Sequence, residues 1–307
     1  MNAKRKIPVR EIIKKVIYGE DYRVLVQDLI NSEFLDYSID FFKRIVDAKT
    51  NNQDITIDWY KKYFVMNKDE SPNYRAIYAG MNRKTISNSY GTTKKEVVIE
   101  VSEMSYDNLT KQIDDLTISH QDLDMQISLV LHESSVQLNF NEALIVINSL
   151  AVKRAAIRGG VQSASGKNVE GPLMIALCKL FAVADSNYEI QIPGGGQSKY
   201  GNYAREIDFF LRNNNKIFKC EVKLMGKGNP ESADAIIARE TDVFVADTLS
   251  ETNKRQCDSL NVHWVELRTK NGFMRFASVL ENLNIPHIKP NLNKLDSILD
   301  EILDEIK

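Results

Sequence analysis

Cysteine is scarce, three in 307 residues, and Cys178, Cys220 and Cys257 are odd in number and widely spaced. A disulfide framework is thereby excluded, and three reduced thiols with no zinc site are expected. Long apolar runs are also missing, since no stretch nears the roughly 20 residues that a membrane span needs. The opening MNAKRKIPVREIIKK carries charge but no apolar segment that could act as a signal peptide. A cytoplasmic protein with no membrane partner is therefore expected. Excess charge of one sign is absent too: 40 Lys and Arg against 42 Asp and Glu leave a net charge of -2. Such a chain has no global positive field, so any polyanion would have to meet basic residues confined to one cleft. His120, His132, His263 and His287 fall at no metal-ligand spacing, and neither a serine nucleophile elbow nor a Rossmann glycine pattern is present. Gly194-Gly-Gly196-Gln-Ser-Lys199 lacks a following Lys-Ser/Thr on a helix, which excludes a nucleotide P-loop.

What is present divides into two grammars. The length allows two modest domains or one core with a large insertion. Runs such as VREIIKKVI, YRVLVQDLI and SIDFFKRIVDA repeat apolar residues at three-to-four spacing, so the first 138 residues are expected to form a helical domain. A long helix is expected to start at a cap on Asn139 or Asn141 and to stop at Gly159-Gly160, followed by a polar stretch, VQSASGKN, and a buried helix at EGPLMIALCKLF. From there β-rich runs appear at YEIQI, REIDFFLR and KIFKCEVKL, the last two joined by an Asn-rich turn. A helix at PESADAIIARE, a strand at TDVFVADT, a helix at TNKRQCDSL and a strand at HWVEL follow. Residues 139–307 thus read as an α/β domain with a mixed central sheet flanked by helices. The final LDSILDEILDEI is amphipathic and is expected to pack on its own domain.

Asp208, Glu221 and Lys223 carry the clearest chemistry. In a strand, residues two apart share a face, so Glu221 and Lys223 project side by side, and the hairpin sets Asp208 opposite them. Two close carboxylates offer hard oxygen ligands, the set Mg²⁺ prefers, and they need a metal to remain ionised together. A metal can activate water and neutralise the oxygens of a phosphodiester under attack, and a neighbouring lysine can position or deprotonate that water. Glu170, at the expected start of the preceding helix, is a candidate fourth member that binds metal directly or through water. Asp47-Ala-Lys49 and Glu305-Ile-Lys307 repeat the acid-x-Lys spacing but lie in helical patterns, where residues two apart do not share a face.

These residues, in an α-β-β-β-α-β order, resemble the PD-(D/E)XK nuclease superfamily, and the whole chain is similar to its type II restriction endonucleases. The resemblance implies that Asp208 and Glu221 bind Mg²⁺ and that Lys223 assists the water. It further implies sequence-specific cutting of double-stranded DNA, a homodimer acting on a short palindrome, and a cognate methyltransferase that protects the same site. Ile207 stands where the family often has proline, and Glu206, two residues before Asp208 on the same face, leaves open which acid binds metal more directly. The alternatives are a structure-selective repair or junction nuclease and a non-enzymatic helix-turn-helix regulator.

Several segments offer contacts to DNA. Arg158, Gln162, Ser163, Ser165 and Lys167 precede Glu170 and could meet phosphates or base edges, as could Lys199 in its glycine-rich loop. The Gly226-Lys227-Gly228 turn could bring Lys227 against a phosphate. Within PNYRAIYAGMNRKTISNSYG, Ala76, Gly80, Met81 and Ile86 match the small, turn and apolar positions of a helix-turn-helix. Its second helix would present Arg83, Lys84, Thr85, Ser87 and Asn88 to a major groove, whereas polar Ser89 departs from the pattern.

Overall fold

The computed structural model describes residues 3–50, 57–120, 125–131, 134–190, 209–214, 216–227 and 241–305, without the side chains of 3–8, 48–49, 134, 161–168 and 225–227. Two compact units emerge, one of Ile30–Gly160 and one combining Met1–Leu29 with Val161–Lys307. This division departs from the border expected at residue 139. The N-terminal helix α1 (Ala3–Tyr18) belongs with the C-terminal unit, because Arg10 and Lys14 pair with Asp296 at 2.7 and 2.9 Å and Arg10 reaches Asp300 at 3.0 Å.

The Ile30–Gly160 unit takes in most of α2 (Arg23–Thr50), α3 (Ile57–Tyr60) with a π-helical turn at Lys61–Val65, α4 (Pro72–Tyr78), α5 (Arg83–Tyr90) and α6 (Lys95–Ser119). A hairpin of β1 (Ile127–Leu131) and β2 (Ser134–Leu138) follows, and α7 (Phe140–Leu180) begins here. Its core is aromatic: Phe41, Tyr60, Phe64, Tyr78 and Tyr106 are buried together, with Phe41 stacked on Tyr78 at 5.6 Å between centroids. The Tyr60 hydroxyl avoids a lost hydrogen bond by meeting Ser149 Oγ at 2.5 Å.

Of the two candidate caps for α7, Asn139 takes the role. Its Oδ1 accepts from Glu142 N–H at 3.0 Å, and the Glu142 carboxylate accepts from Asn139 N–H at 2.9 Å, a reciprocal capping box. The expected stop at Gly159-Gly160 does not occur. Helix α7 runs on through VQSASGKN and past Pro172 to Leu180, 41 residues in all. Glycine and proline disfavour helix by about 1 and 3 kcal/mol, but Val169, Leu173, Met174, Ala176 and Leu177 are fully buried. Burial of such side chains contributes about 1.5–3 kcal/mol each, so packing outweighs local propensity. Glu170 consequently sits inside a helix, not at its start.

The second unit is α/β. Its five-stranded mixed sheet has the order β3 (Tyr188–Glu189), β4 (Phe209–Asn213), β5 (Lys216–Lys227), β6 (Val243–Thr248) and β7 (His263–Glu266). The first three strands are antiparallel, and β5–β6 and β6–β7 are parallel. The β4–β5 turn occurs where the Asn-rich segment predicts it, with Asn214 in the left-handed region at φ 49°. Gly226 and Lys227, expected in a turn, instead continue β5. Helix α8 (Glu251–Ser259) links β6 to β7 and seats Cys257 on Phe244, Ala246 and Val262. Helix α9 (Arg275–Asn282) and helix α10 (Leu295–Glu305) complete the unit. Leu295, Ile298, Leu299, Ile302 and Leu303 of α10 are buried, and its acids pair with α1 and with Lys179 of α7, so it packs on its own unit as expected. The helix expected at PESADAIIARE lies outside the described residues.

Candidate active site

Strand β5 is long enough to span the sheet, and its central residues Cys220, Glu221 and Val222 are all buried. Cys220 and Val222 turn one way. Glu221 and Lys223 turn the other, toward the face that Phe244 and Ala246 occupy at the paired positions of β6. The expected side-by-side projection is present: Lys223 Nζ lies 2.7 Å from Glu221 Oε1. Their exposures differ sharply, the Glu221 side chain at 1% and that of Lys223 at 37%. A buried carboxylate is thus paired with a lysine whose side chain is partly exposed.

Glu170 reaches the same strand from α7. Itself 8% exposed, it accepts a hydrogen bond from the Leu224 N–H at 3.4 Å, one residue beyond Lys223. Two carboxylates and one ammonium therefore converge on four consecutive residues of β5. Asp208 lies outside the described residues, as does Glu206, and the antiparallel ladder is described as far as Phe209–Cys220. Among the described residues no three acidic, His or Cys side chains form a group able to hold a metal.

The helix-turn-helix expectation has a geometric counterpart in the other unit. Ser71 caps α4 by accepting from Tyr74 N–H, and Pro72 opens it. The chain turns at Gly80, φ 78°. Asn82 Oδ1 then accepts from Thr85 N–H at 3.0 Å to start α5, and left-handed Gly91 ends it. Ala76 and Ile86 are fully buried against Val98 and Val101, with Met81 packed on them. Arg83, Lys84, Thr85, Ser87 and Asn88 are exposed, and Ser89 is exposed as well, where the motif usually buries an apolar group. Arg158 is exposed on α7. Gln162, Ser163, Ser165 and Lys167 lie on the same helix and Lys227 on β5, but their side chains are not described; Lys199 lies outside the described residues.

A family model described as CfrBI restriction endonuclease matches residues 6–254. The chain belongs to the CfrBI restriction endonuclease family. The matched span includes the α4–α5 hairpin, Glu170, Asp208 and β5 with Glu221 and Lys223. No curated protein and no solved structure matches the chain. As a member of the CfrBI family the protein is a type II restriction endonuclease, a site-specific deoxyribonuclease acting on DNA. Among the described residues no helix is long and apolar enough to cross a membrane.

One buried acidic group belongs to no sequence motif. Asp247 on β6 is 1% exposed, meets Arg268 Nη2 at 3.2 Å and accepts from the Tyr22 hydroxyl at 3.3 Å. Burial holds its carboxyl above the usual range, against the pull of Arg268. The only sequence signal was an aspartate ending an otherwise apolar run, VFVAD. It points to the sheet face opposite Glu221, because its neighbour Ala246 is paired with Lys223.

Proposed function

We propose that this CfrBI-family endonuclease is a Mg²⁺-dependent enzyme of the PD-(D/E)XK type that hydrolyses phosphodiester bonds in double-stranded DNA at a short specific sequence. The observation that carries the reading is the Glu221–Lys223 pair, a fully buried carboxylate 2.7 Å from the ammonium of a partly exposed lysine on a central strand of a mixed sheet. A lysine in a merely structural surface pair would have an exposed partner. The donor set suits Mg²⁺: carboxylate oxygens, with neither thiolate nor imidazole among the proposed ligands.

Glu221 and Asp208 would hold the ion, which supplies charge neutralisation at the phosphate and a more acidic water. Lys223, its side chain partly exposed, would hold the attacking water or take its proton, while its positive charge favours the extra negative charge that develops on phosphorus-bound oxygen. Burial of Glu221 keeps bulk water away from the carboxylate, which strengthens its interactions. The exposed face of α5, with Arg83, Lys84, Thr85, Ser87 and Asn88, would enter the major groove. Arg158, Gln162, Ser163, Ser165, Lys167, Lys199 and Lys227 would supply phosphate or base contacts. Two copies would cut the two strands of a palindrome, and a methyltransferase of a restriction-modification system would protect the host site.

Incubating the purified protein with phage DNA and Mg²⁺, then sequencing the fragment ends, tests this reading. Discrete fragments ending at one short motif, abolished by EDTA, are expected. A structure-selective nuclease would leave a ladder, and intact DNA at every divalent metal would refute the proposed site.

A further inference from the structure

We propose that Glu170 is a positioning residue: its carboxylate grips the β5 backbone at the Leu224 N–H and thereby fixes the direction of Lys223. The inference rests on the reading of Glu221 and Lys223 as the catalytic pair, and it assigns Glu170 a task other than ligating the metal.

The observation is the location of the contact. Strands β5 and β6 stay in register from Cys220–Val243 to Lys223–Ala246, and the next pair is Lys227–Thr248. Four residues of β5 therefore pass two of β6, so regular support from β6 lapses immediately after Lys223. Such irregularities let a strand re-aim a side chain, at the cost of ladder bonds that would have held it. Glu170 meets the strand at the first residue of this lapse, with Oε1 3.4 Å from Leu224 N. That separation is at the long end for an N–H···O bond, and the charge on the carboxylate adds an attraction that a neutral acceptor at the same distance would lack. Both residues are 8% exposed, so water competes weakly.

The helix that carries Glu170 is well anchored here. Val169, Leu173, Met174 and Leu177 are fully buried, which makes α7 a rigid support for a backbone clamp. Lys223 needs one. Its side chain is 37% exposed and is tied to Glu221 at 2.7 Å, so the position of the pair follows the backbone from which both side chains leave. A displacement of about 1 Å at a reacting group can lower the rate roughly 100-fold.

The test separates an acceptor from a ligand. Glu170→Gln retains a carbonyl oxygen that can accept from Leu224 but surrenders the negative charge a Mg²⁺ ligand needs, whereas Glu170→Ala loses both. Three readouts on the full chain are compared: single-turnover cleavage, the Mg²⁺ concentration for half-maximal rate, and amide exchange of the β5 segment in EDTA. Glu170→Gln is expected to cleave within a few-fold of wild type, with unchanged Mg²⁺ dependence and β5 exchange. Glu170→Ala is expected to lose roughly 10–100-fold in rate and to exchange faster at β5, with its Mg²⁺ dependence near that of wild type. The proposal is overturned if Glu170→Gln is as slow as Glu170→Ala and needs more Mg²⁺, or if β5 exchange is the same in all three proteins. Exchange is read without metal, so a wild-type protein that fails to cleave with Mg²⁺ would refute the catalytic assignment while leaving the clamp measurable.

Discussion

Replacing Gly80 and Gly91 separately by alanine isolates what the α4–α5 turn demands. Both glycines lie in the left-handed region, at φ 78° and 66°, where a Cβ costs about 1–2 kcal/mol. Both substitutions also stiffen the unfolded chain, which returns about 0.4–1 kcal/mol. The sites differ in surroundings. A Cβ at Gly91 would meet nothing within 4 Å, whereas one at Gly80 would sit 2.5 Å from the Asn148 side-chain nitrogen on α7. That nitrogen ends a flexible, half-buried side chain, so Asn148 can swing aside at a cost of about 0.5–1.5 kcal/mol. Gly91→Ala should therefore destabilise by about 0.5–1 kcal/mol and Gly80→Ala by about 1–2 kcal/mol. Urea unfolding followed by tyrosine fluorescence measures both, since Tyr60, Tyr78 and Tyr106 lie in the same core. Equal losses at the two positions would refute the reasoning that Asn148 must give way at a cost to a Cβ on Gly80.

Other consequences follow from the two units. Arg83→Ala and Asn88→Ala should each weaken binding to the cognate duplex in Ca²⁺ by about 1–3 kcal/mol if they read bases; unchanged affinity in both would remove α5 from the interface. Ile86→Ala, at a fully buried position between α5 and α6, should cost about 2–4 kcal/mol in chemical denaturation, and a loss below 1 kcal/mol would contradict the packing. For Asp247 the sign is set by burial. Its folded carboxyl titrates above the unfolded value, so its stabilising protonation is complete below the ordinary carboxylate range and is lost as pH rises through the raised value. Asp247→Asn should accordingly gain stability relative to wild type as pH increases from about 4 toward 7, and stability curves that run parallel over that range would show that the carboxylate is compensated.

The parts of this protein that could be read locally are those fixed by short-range geometry. Two-residue spacing was enough to put Glu221 and Lys223 on one face, because strand alternation depends on nothing distant. The hairpin of α4 and α5 was legible for a similar reason: Ala76, Gly80, Met81 and Ile86 act within eleven residues. The continuity of α7 was not legible. Gly159-Gly160 carries a stop signal, and only the burial of Val169 through Leu177, which depends on partners far along the chain, overrides it. The assignment of α1 to the C-terminal unit was hidden likewise, since Arg10 and Asp296 are 286 residues apart. Glu170 was a candidate from its place on the helix before the strands, but its contact with the Leu224 backbone depends on α7 meeting β5 and has no signature in sequence.

The most direct test of the account is single-turnover cleavage of a cognate duplex by Glu221→Ala and Lys223→Ala, with DNA affinity measured in parallel in Ca²⁺. Both variants should bind DNA as wild type does and lose cleavage by about 10²–10³-fold or more, while wild type cleaves with Mg²⁺ and not in EDTA. Wild-type rates in either variant would show that the buried carboxylate and its ammonium partner on β5 are not the centre of catalysis.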